Sequence, residues 1–226
     1  MKKTFLALSL MAASVFGALN IANAQIKEGS ITYSMTIEGL PPEQAAMMEG
    51  MEMKTIFKNN KSRSEVNSAF MNSVTVTDGK GGFVTLMDGM GQKSYIKGNT
   101  EAEKKKSKSS EKEPKITYTD DKKTIAGYDC KKAIIEAETE NKEVSKVNVW
   151  YTDKIAPVEG GMGGRGGQFK GLKGVPLEFD MPQGPMNIKV SATKISTESV
   201  SDDLFNVSTE GYTEMDPDAM RGMGGQ

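Results

Sequence analysis

Between Ile31 and Ile37 the apolar side chains Ile31, Tyr33, Met35 and Ile37 alternate with Thr32, Ser34 and Thr36. A period of two is the signature of an extended strand with one buried face. The pattern returns along the chain. Candidate strands follow at Met53 to Lys58, Ser62 to Val66, Ser73 to Asp78, Gly82 to Asp88 and Gln92 to Lys97. The breaks carry turn chemistry: Asn59-Asn60, Asp78-Gly79, Asp88-Gly89 and Lys97-Gly98-Asn99. Turns spaced about 8 to 12 residues apart predict an antiparallel sheet or barrel.

The second half keeps this character, with strands at Lys115 to Tyr118, Thr124 to Ile125, Cys130 to Thr139 and Val144 to Tyr151, the last two joined through Glu140-Asn141-Lys142. A final pair, Val175 to Met181 and Met186 to Glu198, is joined by Pro182-Gln183-Gly184-Pro185. Short helices are predicted over Glu43 to Glu52, opened by Pro41-Pro42, over Phe169 to Leu172, and over Ser201 to Phe205. No helical crossover of the length that parallel strands require lies between the strands. The expected fold is mainly β, a curved antiparallel sheet of ten or eleven strands forming an incomplete barrel, with two or three short helices.

Lys2 and Lys3, an apolar run from Phe5 to Leu19, and Ala22-Asn23-Ala24 form the three parts of a cleavable signal peptide over residues 1–24. The run is shorter than the roughly 20 residues that span a bilayer. Gln25, not Cys, follows the cleavage point, so no thiol is available there for lipid attachment. The expected product is a periplasmic or secreted monomer, without stable membrane insertion, built from one domain over 25–212. A flexible charged insertion is expected over 99–114, a Gly-rich loop over 159–168 and a disordered tail over 213–226.

The chain has 29 basic and 30 acidic residues and no histidine. That balance argues against nucleic acid as a partner. Lys104, Lys105, Lys106, Lys108, Lys112 and Lys115 alternate with Glu and Ser and read as a solvated loop. The missing histidine removes Ser-His-Asp and Cys-His nucleophiles, imidazole zinc sites and the usual general base near neutral pH. Cys130 has no partner within the chain and fits best as a buried small hydrophobe on the face of Tyr128 and Ile134, interrupted by Lys132. The glycines at 160–167 lack the Lys-Ser or Lys-Thr that closes a P-loop.

Several phrases resemble a known family. Gly29-Ser30-Ile31-Thr32-Tyr33, Gly91-Gln92-Lys93-Ser94-Tyr95, Thr124-Ile125-Ala126-Gly127-Tyr128-Asp129-Cys130-Lys131-Lys132-Ala133, Val149-Trp150-Tyr151-Thr152 and Gly174-Val175-Pro176-Leu177-Glu178-Phe179 look like the DUF4412 family, grouped with the LolA/LolB-like lipoprotein carriers. The resemblance spans about Lys27 to Tyr212. It implies an incomplete, LolA-like barrel enclosing an apolar cavity, and it carries over no catalytic residue.

Of the 16 methionines several cluster: Met47, Met48, Met51 and Met53, then Met87 and Met90, then Met215, Met220 and Met223. Unbranched thioethers suit a soft lining for varied acyl chains, Cu(I) capture, or ordinary core filling. The carboxylates of Asp120-Asp121 point to opposite faces of a strand, and Asp202-Asp203 suit the first turn of a helix. Trp150 and Tyr151 read as a ligand platform or as cross-strand packing. The expectation is a non-enzymatic carrier, without cofactor, for a hydrophobic small molecule, lipid or lipoprotein. Its apolar cavity would be lined by Met47, Met48, Met51, Phe57, Tyr95, Trp150, Phe169 and Phe179. The alternative is a Met-based copper-binding or metal-stress protein, and an enzyme of another type comes third.

Overall fold

The computed structural model describes residues 25–41, 43, 50–68, 71–89, 91–99, 113–138, 144–158, 169–183 and 186–216. The signal peptide expected over 1–24, Met47 and Met48, most of the helix expected over 43–52, nearly all of the charged insertion, the Gly-rich loop and the end of the tail lie outside them.

The strands are β1 (Glu28–Glu38), β2 (Glu52–Lys58), β3 (Lys61–Asn67), β4 (Met71–Thr77), β5 (Gly82–Gly89), β6 (Gln92–Asn99), β7 (Lys115–Ile125), β8 (Tyr128–Glu138), β9 (Val144–Thr152), β10 (Val175–Gln183), β11 (Met186–Ser196) and β12 (Thr213–Glu214). They form one sheet in the order β12-β6-β5-β4-β3-β2-β1-β11-β10-β9-β8-β7. Every pairing is antiparallel except β12 with β6, which is parallel. The end strands β7 and β12 each pair with one neighbour, so the sheet is open. The first and last long strands of the chain, β1 and β11, meet at its centre, which ties the two halves into one unit.

Local chemistry explains the hairpins. Asn59, with φ 54°, and Asn60 join β2 to β3, Asn being the residue that best tolerates the left-handed region after glycine. Asp78 closes the next turn by accepting hydrogen bonds from the backbone N–H of Lys80 (2.7 Å) and Gly82 (2.9 Å) at Oδ1. Ala126 (φ 46°) and Gly127 (φ 84°) join β7 to β8, a turn with both central residues left-handed. Alanine carries a Cβ penalty there that asparagine offsets with local hydrogen bonding. Ala126→Asn is expected to raise stability by about 1 kcal/mol, read as a higher urea midpoint. A lower midpoint would contradict this account of the turn.

The structure departs from the expected strand plan in three places. Lys115 to Ile125 is one strand: the polar run Thr119-Asp120-Asp121, which reads as a break, is absorbed by a bulge between Tyr118 and Lys122. The turn expected at Lys97-Gly98-Asn99 is instead the end of β6, because β5 starts at Gly82 and pairs with Asn99. Thr213 and Glu214 add a twelfth strand, held further by the Met215 N–H donating to the Tyr95 carbonyl (2.8 Å). The predicted helix over Ser201 to Phe205 is a single 3-10 turn, Asp202–Phe205, capped by the Ser201 side chain. Phe169 to Leu172 is a turn closed by the Leu172 N–H on the Phe169 carbonyl (3.0 Å).

The main core draws on β1, β2 and β7 to β11: Ile31, Tyr33, Phe57, Val149, Leu177, Phe179 and Val190 are each at most 3% exposed. A second cluster, Ile56, Val76, Val200 and Phe205, lies on the other side of the sheet. There the C-terminal segment crosses β2 and β3, fastened by Lys58 to the Val200 carbonyl (2.8 Å) and to Asp202 (3.0 Å), and by Arg63 to the Leu204 carbonyl (3.1 Å). Inside the main core the buried Tyr33 hydroxyl donates to the Pro176 carbonyl (3.0 Å), beside the bulge of β10. Burial raises the Tyr33 pKa, so the phenol keeps its proton. Tyr33→Phe would strand a buried carbonyl and is expected to cost about 1 to 3 kcal/mol in a denaturant titration. No measurable loss would mean that the carbonyl finds another donor.

Candidate ligand-binding face

Register sorts every strand residue onto one of two faces. Starting from Ile31 and Tyr33, the pairings place Met53, Thr55 and Phe57 on the same side, then Ser62, Ser64 and Val66, then Ser73, Thr75 and Thr77, then Phe83, Thr85 and Met87, then Ser94 and Ile96. In the other direction they place Met35 and Ile37 beside Val190 and Ile188, and these beside Phe179 and Met181. From β10 across to β6, eight adjacent strands, no Asp, Glu, Lys or Arg among the described residues falls on this face. The charges of those strands sit on the other side: Lys54, Lys58, Arg63, Glu65, Lys93, Lys97, Glu178 and Lys189.

The uncharged face has two halves. Over β1, β11 and β10 it is apolar, with a fully buried row, Val190 and Phe179, beside a half-buried row, Ile37, Ile188 and Met181. Over β2 to β5 it is rich in hydroxyls, which bond across strands: Thr55 with Ser64 (3.3 Å), Ser62 with Thr77 (2.8 Å) and Thr75 with Thr85 (3.0 Å). Among the described residues, an ion pair on this side is found in the β8 and β9 region, Lys131 with Asp153 (2.6 Å).

The residues singled out from the sequence divide between the two faces. Phe57 and Phe179 are buried on the uncharged face, and Phe169 packs edge-on against Phe179 with centroids 4.9 Å apart. Met51 is half-buried just before β2, its carbonyl accepting from the Met35 N–H (3.3 Å). Trp150 lies on the charged face, paired in register with Lys132 and Glu178. Lys123 sits 4.4 Å from its ring centroid and is itself held by Glu178 at 2.7 Å. Tyr95 is also on that face, its hydroxyl donating to Glu214 (2.8 Å), whose carboxyl this bond and Lys97 hold below the usual range. The aromatics chosen for size thus serve two sides of the sheet.

Cys130 is buried at 1% exposure, and its thiol donates to the Tyr128 carbonyl (3.4 Å). Burial pushes its pKa up to about 11, so it is held as an unreactive thiol. Among the described residues no group of three His, Cys, Asp or Glu side chains could hold a metal ion, and no helix is long and apolar enough to cross a membrane. The hydroxyl rows were not singled out from the sequence. Their signal was present in Ser73-Val74-Thr75-Val76-Thr77, where the valines suggest the buried side and the hydroxyls are read as solvent-facing.

No curated protein matches the chain. Among solved structures, PNGF-II in a C2 crystal is 19% identical, with a TM-score of 0.51, and the match covers 87% of this chain and 32% of that one. The P21 form of the same protein gives 17% identity, a TM-score of 0.49 and coverage of 87% and 33%. The chain therefore spans about a third of PNGF-II, and at this identity the likeness is one of fold. The lipoprotein LppX of Mycobacterium tuberculosis is 9% identical, with a TM-score of 0.39, over 76% of this chain and 88% of that one. Residues 28–161, more than half of the chain and the whole run from β1 to β9, match the model of the domain of unknown function DUF4412, and the protein belongs to that family.

Proposed function

We propose that this protein is a non-enzymatic carrier of the bacterial envelope that holds a hydrophobic small molecule, lipid or lipoprotein on the uncharged face of its open sheet. The observation that carries the reading is the distribution of charge. Among the described residues, eight neighbouring strands keep every Asp, Glu, Lys and Arg off one face while the opposite face is crowded with them. That face is only half-buried along Ile37, Ile188 and Met181, where apolar area is left for a ligand to cover. An open β sheet of this kind suits the LolA-like arrangement, in which one face of an incomplete barrel receives the cargo. The signal peptide over 1–24 supports a periplasmic or secreted setting. The absence of histidine from the chain and the raised pKa of Cys130 support binding rather than chemistry.

Delipidated protein should take up a fluorescent fatty-acid probe saturably, with a stoichiometry near one. Failure to saturate, in protein shown to be folded by circular dichroism, would remove the carrier reading.

A further inference from the structure

The hydroxyl half of the uncharged face calls for its own explanation. In β4 the valines Val74 and Val76 point to the side where Val200, Phe205 and Val207 cover them, while Ser73, Thr75 and Thr77 point to the carrier face. In β5, Val84 and Leu86 share the valines' side and Thr85 the other. A face closed permanently by packed protein is better served by valine than by threonine, because a buried hydroxyl must find hydrogen-bond partners. Here the hydroxyls partner one another. In the Thr75–Thr85 pair two O–H donors share one bond between the side chains, and both residues are only half-buried, so their hydroxyls can exchange hydrogen bonds with whatever lies on the sheet. Thr55, Ser62 and Ser64 are buried, whereas Ser73, Thr75, Thr85 and Ser94 are half-buried and within reach of a ligand.

We infer that the cargo is an amphiphile with an uncharged, hydroxyl-rich head, glycolipid-like in its chemistry, whose head lies on the half-buried Ser and Thr side chains of β4 to β6 and whose chain runs over Ile37, Ile188 and Met181. The inference rests on the carrier reading and narrows it. A polyol head exchanges hydrogen bonds with hydroxyls in both directions. A carboxylate, phosphate or ammonium head would be desolvated against β4 to β6, whose described residues put no counter-charge on this face.

The test compares three ligands sharing one ten-carbon chain, decyl maltoside, decanoate and decyltrimethylammonium, by calorimetry below their micelle thresholds. Decyl maltoside is expected to bind about tenfold more tightly than either charged ligand, the worth of one or two net hydrogen bonds. Thr75→Val with Thr85→Val keeps shape and strand preference, and should erase that advantage while leaving decanoate binding unchanged. Should that pair fail to fold, Ser73→Ala with Ser94→Ala serves the same comparison. Equal affinities, tighter binding of a charged ligand, or an advantage that survives loss of the hydroxyls would overturn the inference while leaving the carrier reading intact. Binding of none of the three would overturn both.

Discussion

Gly174→Ala is expected to destabilise the fold by about 3 to 4 kcal/mol, a large effect for one added methyl. An alanine Cβ at this position would stand 2.0 Å from the Thr152 carbonyl oxygen, 2.7 Å from the carbonyl carbon and 3.1 Å from the Asp153 Cα. All three are backbone atoms, so no side chain can rotate away. Thr152 is fully buried and pairs with Val175 at the entry to β10, the strand that carries Leu177, Phe179 and Met181. Relief would require β9 and β10 to separate where the core is tightest. Gly127→Ala is the matched control: its Cβ would meet nothing within 4 Å, and only its φ of +84° is unfavourable. It should cost about 1 to 2 kcal/mol. Urea titrations of the two variants decide the matter, and a Gly174→Ala loss no greater than that of Gly127→Ala would show that the strands can part at low cost.

What was legible in the sequence follows from what local chemistry controls. Alternation and turn residues placed β1 to β6 nearly strand by strand, because Asn59-Asn60 and Asp78-Gly79 impose their turns without help from distant parts of the chain. Thr119-Asp120-Asp121 misled because a bulge is a compromise between two strands, and its partner residues in β8 are distant in the linear pattern. The pairing of β1 with β11 and the return of Thr213 and Glu214 to β6 are long-range events with no local signature. The site was harder still. Size and aromaticity picked out Phe57 and Phe179 alongside Trp150 and Tyr95, but face membership depends on register, and register emerges only when the whole sheet is assembled. In β4 both faces are covered in part, so Val and Thr compete for the reading "inside", and alternation alone does not mark the hydroxyl rows.

If the uncharged face is where the cargo lies, Ile188→Thr combined with Met181→Thr should weaken uptake of a fatty-acid probe roughly thirtyfold. The two residues face each other in register between β11 and β10 and form part of the half-buried apolar row. Each substitution replaces apolar contact area by a hydroxyl with no place in an acyl chain's surroundings. At about 1 kcal/mol per side chain the pair gives about 2 kcal/mol of lost binding. Threonine is a good strand residue, so the sheet itself should survive, and thermal melting checks this. Lys189 supplies the control, since it follows Ile188 directly in β11 and therefore projects from the opposite face, where it stands 3.8 Å from Glu178. Lys189→Thr should leave uptake unchanged. The comparison turns on one step along a strand: a ligand on the uncharged face feels position 188 and ignores position 189. If Lys189→Thr weakened uptake as much as the double variant, the ligand would sit on the charged face beside Trp150 instead.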